Sequence, residues 1–176
     1  LPGTTVGARI VKPYFNKIWD GEYAFYYTPP DKLTDQPALT INGRVAHFTH
    51  NIFTGYNTQA SVELRTIFSN VLNSLLPDPV LKTTNMPVFA RAFVTEQPGR
   101  RMVHILSYIP ELRGASTEMI EDGVTLNNVS ISLRSDAKPR KVYLAPERKS
   151  LPFRFSDGYV NVTIPSMTGY SLLVFE

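Results

Sequence analysis

The stretch Leu151-Pro152-Phe153-Arg154-Phe155-Ser156-Asp157-Gly158-Tyr159-Val160-Asn161-Val162-Thr163-Ile164 decides the reading of this chain. Asp157-Gly158 tolerates the positive φ angles of a two-residue hairpin turn. A loop there sets Phe155 opposite Val160, Phe153 opposite Val162 and Leu151 opposite Ile164. Ser156, Arg154 and Pro152 then meet Tyr159, Asn161 and Thr163, so one face of the hairpin is wholly apolar, as in a half-buried antiparallel pair.

Working outward, Val129-Ser130-Ile131-Ser132-Leu133 alternates with the same period of two. Lys141 to Ala145 and Tyr170 to Phe175 read as further strands, the second ending the chain. Phe89 to Glu96 and Arg101 to Ile109 flank Gln97-Pro98-Gly99-Arg100, where Pro followed by Gly suits a tight turn. About seven strands at this spacing predict an immunoglobulin-like β-sandwich over residues 81–176. Glu111 to Asp122 is polar and unpatterned and is expected to be a surface insertion.

Residues 1–80 read differently. Leu64, Ile67, Phe68, Val71, Leu72, Leu75 and Leu76 recur at the spacing of one helix face, with Thr58 or Ser61 as candidate caps, and Pro77 and Pro79 stop the pattern. Upstream, Leu39-Thr40-Ile41 and Arg44 to Phe48 flank Asn42-Gly43, which predicts a hairpin whose second strand continues through Ile52-Phe53; Ala8 to Val11 is a shorter strand. One helix and three short strands leave a broad apolar face without cover, so this part is expected to be an incomplete α/β segment. That face and the open strand edge beside it predict self-association into a homo-oligomer.

The 176 residues suffice for a buried core, and 43% apolar against 19% charged residues excludes disorder. The chain starts at Leu1, so it is expected to be a piece of something longer. No run approaches the length of a membrane-spanning helix, and Leu1-Pro2-Gly3 does not open a signal peptide, so no membrane partner is expected. The net charge of +3 comes from scattered residues with only short clusters at Arg100-Arg101 and Lys138 to Lys141, which does not suggest nucleic acid. With no cysteine, thiolate nucleophiles, zinc-thiolate sites and disulfides are excluded, while the compartment stays undecided.

Candidates for chemistry are sparse. His47 and His50, three apart on a predicted strand, point to opposite faces and do not share a metal; His104 has no neighbour in sequence that suggests a triad. Carboxylates fall in predicted loops, among them Asp20 with Glu22, Glu118 with Glu121 and Asp122, and Glu147, rather than as a pair held across a cleft. No phosphate-cradling glycine pattern occurs. No catalytic residue, metal site or cofactor is therefore assigned. The region from Tyr14 to Tyr27 concentrates seven aromatic residues. Such rings serve cores and interfaces, or stack on sugars; on the second reading Trp19, Tyr23, Tyr26 and Tyr159 form a carbohydrate-binding platform.

Two further groups of residues carry a resemblance. Thr28-Pro29-Pro30-Asp31-Lys32, Pro37-Ala38-Leu39, Asn42 to Phe48 and Asn51 to Tyr56, followed by the helix into Leu75-Leu76-Pro77-Asp78-Pro79, resemble the end of the trimerisation domain of beta-galactosidase-like bacterial glycoside hydrolases. Arg101 to Tyr108, Val142 to Glu147, Asp157 to Val160 and Leu173 to Glu176 resemble their C-terminal β domain. The resemblance implies a parent with a TIM-barrel catalytic domain, a flavodoxin-like domain that is only partial here, and a small β-sandwich. It also implies that the catalytic glutamates lie outside this chain, whose partner would be the rest of the parent hydrolase.

Overall fold

The computed structural model describes residues 1–15 and 28–176, arranged as two compact units, Leu1–Pro77 and Asp78–Glu176. The molecule is mostly β with a small α/β part.

In the first unit β1 (Thr5–Pro13), β2 (Pro30–Asn42) and β3 (Val45–Phe48) form an antiparallel sheet in the order β1-β2-β3. The hairpin turn lies one residue later than Asn42-Gly43. Asn42 pairs with Val45, leaving Gly43-Arg44 as the loop, with Gly43 at φ 57°. The Asn42 side chain is occupied elsewhere: its Nδ2 donates to Thr4 Oγ1 at 2.8 Å and to the Pro2 carbonyl at 3.0 Å, tying β2 to the start of the chain.

Ile52 and Phe53 do not extend β3. They open a helix, α1 (Ile52–Gln59), because Asn51 caps it by accepting from the Thr54 N–H. Ala60 ends α1 in the left-handed conformation, and Ser61 caps α2 (Val62–Leu75) by accepting from the Leu64 N–H. The two helices meet at Phe53 and Phe68, whose rings pack edge to face at 4.9 Å, and at Gly55, where a Cβ would lie 3.0 Å from Leu64 Cδ1. Of the predicted apolar face only Val71 is buried; Ile67, Leu72 and Leu76 remain more than two-fifths exposed.

The second unit is a β-sandwich. It comprises β4 (Leu81–Thr84), β5 (Arg91–Gln97), β6 (Arg100–Ser107), β7 (Glu111–Arg113), β8 (Thr117–Met119), β9 (Thr125–Arg134), β10 (Val142–Ala145), β11 (Lys149–Ser150), β12 (Phe153–Ser156) and β13 (Tyr159–Phe175). The two segments expected as separate strands near the C-terminus are one strand. The first half of β13 pairs with β9 and β12, its second half with β6 and β10. One layer is thus β4-β9-β13-β12 and the other β11-β10-β13-β6-β5. Pro165 sits within the stretch paired with β9, opposite Asn128 at φ 54°, and β13 changes partners between Thr168, opposite Thr125 of β9, and Gly169, opposite Ser107 of β6. The Asn128 carbonyl accepts from Asn85 Nδ2 at 3.1 Å. β7 and β8 turn the expected irregular insertion into a small exposed hairpin.

The hairpin at Asp157-Gly158 has the predicted register, with Phe155 opposite Val160 and Phe153 opposite Val162, and both turn residues take positive φ. The alternation in β9 places Val129, Ile131 and Leu133 in the core with at most 1% exposure, facing Val103, Ile105 and Leu173 from the other layer.

The close approach of Gly123 to Gly169 pins the crossover. A Cβ on Gly123 would lie 2.6 Å from Gly169 Cα, and Gly169, at φ 69°, faces the Tyr108 hydroxyl. Gly123→Ala and Gly169→Ala are each expected to destabilise by about 1–3 kcal/mol or more through overpacking. Gly99→Ala, with φ 77° but no atom within 4 Å, loses only the left-handed backbone term of about 1–2 kcal/mol. Urea unfolding of the three variants checks the ranking; equal losses would contradict the close approach.

Candidate functional site

The alternation that sends Val129, Ile131, Val160 and Val162 inward sends Ser130, Ser132, Asn161 and Thr163 to the opposite face of the β4-β9-β13-β12 layer. Register then aligns Lys82, Ser132, Asn161 and Arg154 in one row across four strands, with Thr84, Ser130 and Thr163 in the row beside it. Ser132 Oγ donates to Asn161 Oδ1 at 2.7 Å, Asn161 Nδ2 donates to the Tyr159 carbonyl at 3.2 Å, and Ser130 and Thr163 share a hydroxyl contact at 3.2 Å.

Two shallow grooves follow this face. One of about 530 Å³ runs along Ser130, Phe153, Arg154 and Thr163; the other, of about 280 Å³, is bounded by Asp78, Lys82, Asp157 and Tyr159; Ser132 and Asn161 line both. Hydroxyl and amide groups flanked by Lys82 and Arg154 can donate and accept hydrogen bonds to a polyol. No activated nucleophile or base lies among the lining residues.

Tyr159 belongs to this face but is not the exposed ring that a sugar-stacking role requires. It is 8% exposed, its hydroxyl donates to the Pro79 carbonyl at 2.7 Å, and Lys82 Nζ lies 4.4 Å from its ring centroid. Register puts it on the outer side, and the chain entering β4 covers it there. Trp19, Tyr23 and Tyr26 lie outside the described residues, as do Asp20 and Glu22.

The histidines are dispersed. His47 is in β3, while His50 lies beyond its end and meets Thr49 Oγ1 at 3.0 Å. His104, which has no partner legible in the sequence, bridges two hydroxyls on the outer face of the other layer, Thr95 Oγ1 and Tyr170 Oη, each at 2.9 Å, and its ring stacks on Phe93 at 4.8 Å. Among the described residues no three metal-ligating side chains converge, and no helix is long and apolar enough to cross a membrane.

Among the described residues the predicted loop carboxylates do not pair across a cleft. Glu121 joins Glu111 on Arg113, at 3.0 and 2.9 Å. A different carboxylate is organised: Glu176 accepts from Lys141 Nζ at 2.8 Å and from the Tyr143 hydroxyl at 2.7 Å. The hydrogen bond from Lys141, then that from Tyr143, holds the Glu176 carboxyl below its ordinary range, and the bond to Glu176 pushes the Tyr143 hydroxyl up.

No family model and no curated protein sequence matches the chain. A solved structure does. Alpha-L-fucosidase isoenzyme 2 from Paenibacillus thiaminolyticus superposes on 98% of this chain with a TM-score of 0.86 and 28% sequence identity. The chain spans 27% of that protein. Over nearly its whole length the chain is therefore similar to a part of a glycoside hydrolase.

Because the Glu176 pKa is depressed in the fold, its contribution to stability is full above the ordinary value of 4.5 and is lost as pH falls through the lowered folded value. Glu176→Gln is expected to flatten this part of the acid limb. Thermal melts of both proteins from about pH 6 down to pH 3 check it, and parallel curves would contradict the assignment.

Proposed function

We propose that the chain is the non-catalytic C-terminal region of a glycoside hydrolase, supporting the architecture and assembly of the parent enzyme. The observation that carries this is the near end-to-end match, across both units, to part of a much longer glycoside hydrolase. The sequence's likeness to beta-galactosidase-like hydrolases narrows the parent to that broad type, while the matched enzyme is a fucosidase. A panel of aryl galactosides and aryl α-L-fucosides should therefore show no turnover by the isolated chain. Turnover that survives repurification would overturn the reading.

Assembly is favoured by the first unit, where Ile67 and Leu72 on α2 and Leu76 at its C-terminal cap stay exposed. Sedimentation over a range of concentrations should show self-association that weakens in Ile67→Lys. A concentration-independent monomer would remove the oligomer from the proposal.

A second reading, a carbohydrate-binding sandwich, is favoured by the polar face with Ser132 and Asn161 at its centre. Calorimetric titration with fucose- and galactose-containing oligosaccharides tests it, and heat that disappears in Asn161→Ala would support it.

A further inference from the structure

The two basic clusters of the sequence, Arg100-Arg101 and Lys138 to Lys141, come together at one end of the sandwich. The first lies where the β5-β6 turn at Pro98-Gly99 enters β6, the second in the loop between β9 and β10. That loop is held by its backbone. The Arg140 and Lys141 N–H groups both donate to the Glu176 carbonyl, and the Ser135 N–H donates to the Gly158 carbonyl at 2.9 Å. Arg101 ties turn to loop, its Nη1 donating to the Arg134 carbonyl at the end of β9. Between them is a cavity of about 260 Å³ with Leu133, Val160 and Phe175, all buried, among its walls. A more open cavity of about 630 Å³ adjoins it at Arg140 and Lys141, and Gly99 and Glu176 line both. The lining of the two holds five cations against two carboxylates, Glu96 and Glu176.

Much of this charge has no partner of opposite sign. Glu176 is taken by Lys141 and Tyr143, at 2.8 and 2.7 Å. Among the described residues Arg100, Lys138 and Arg140 form no ion pair. Arg100 Nε donates to the neutral Gln97 Oε1 at 2.8 Å, and Lys138 Nζ stands 5.9 Å from the Phe153 ring centroid. Arg101 Nε is closed off from solvent and has no hydrogen-bond partner, since Glu96 Oε2, at 4.0 Å, is too far to accept. It is the one such side-chain atom among the described residues, and a buried N–H without an acceptor is costly.

We propose that this cavity binds the carboxylate of an acidic sugar, a uronate unit of a saccharide. The sugar rests on the reading under Proposed function; the preference for an anion stands on the cations alone. A carboxylate is favoured over a phosphate by the kind of donor on offer. Phosphate sites are built on backbone N–H groups and helix N-termini, whereas here the Arg140 and Lys141 N–H groups are spent on Glu176 and the second unit has no helix. A guanidinium matches a planar carboxylate. Drawn slightly toward the cavity, Arg101 offers Nε and Nη2 to the two oxygens, while Arg100, Lys138 and Arg140 supply the surrounding positive field. The volume of about 260 Å³ falls below the roughly 300–1,000 Å³ of sites for drug-sized ligands, which limits the occupant to one sugar ring. The Gln97 amide and the Ser135 hydroxyl line the same cavity and can bond ring hydroxyls. The adjoining open cavity gives a following sugar its place beside Arg140.

Binding is read on the 176-residue chain by calorimetry and by amide shifts of the nitrogen-15-labelled protein at low salt. The probes are glucuronate, galacturonate and digalacturonate, with galacturonate methyl ester and inorganic sulfate for comparison. The uronates should move amides at Gln97 to Arg101 and at Ser135 to Lys141, and the ester, which keeps the sugar but not the charge, should bind about tenfold more weakly. Arg101→Lys keeps the charge and loses the fork, so it should weaken uronate binding about tenfold. Lys138→Gln/Arg140→Gln changes two exposed side chains and serves where Arg101→Lys does not fold; it should weaken binding several-fold. Arg154→Gln, on the polar layer, should change nothing. No response to any uronate up to about 10 mM, or an ester that binds as well as the acid, would overturn the proposal. Sulfate bound as tightly as the uronates would mean an adventitious ion only, and shifts centred on Ser132 and Asn161 would move the ligand to the polar layer; either result removes the uronate site. None of these outcomes touches the hydrolase reading, which turnover of aryl glycosides by the isolated chain would remove without altering the amide shifts.

Discussion

Strand β13 belongs to both layers of the sandwich, and the remaining structure of the second unit hangs on that sharing. A strand of 17 residues can serve two sheets only if it changes hydrogen-bond partners part-way. The change is made between Thr168, the last residue paired with β9, and Gly169, the first paired with β6, whose left-handed φ lets the chain turn under Tyr108. Before that point the inward residues Val160, Val162 and Ile164 face the core from one side; after it, Leu173 and Phe175 face it from the other. The core is therefore continuous across two layers that share one backbone.

The first unit has no comparable centre. Leu39 and Val71 are its only buried apolar residues among those described, while Val6, Leu33, Val45 and Phe53 remain open. A groove of about 230 Å³ between α1 and α2, lined by Phe53, Tyr56, Leu64 and Phe68, is apolar. With roughly 1.5–3 kcal/mol available from fully burying each such side chain, these surfaces represent stabilisation not realised within the described residues.

Much of the sandwich was legible because its signals are local. Asp157-Gly158 fixes a turn, the turn fixes register, and register with a period of two assigns each side chain to a face. The polar groove around Ser132 and Asn161 was implicit in the same alternation, read from its other side. The start of α1 was missed because Ile52-Phe53 suits a strand and the deciding signal was the Asn51 side chain reaching the Thr54 N–H. Tyr159 was correctly placed on the outer side of its hairpin, but nothing near it in sequence announces that Lys82 and Pro79 will cover it.

By itself the sequence determined the β class of the second part, the hairpin register at Asp157-Gly158, a helix stopped before Pro77 and the likeness to a glycoside hydrolase. Each of these rests on residues within a few positions of one another or on their order along the chain. Only the tertiary structure decided that two predicted strands are one and that His104 sits between Thr95 and Tyr170. Those outcomes depend on residues brought together from 66 positions apart, as His104 and Tyr170 are, and such pairings are set by how the strands stack and not by any local preference of the backbone.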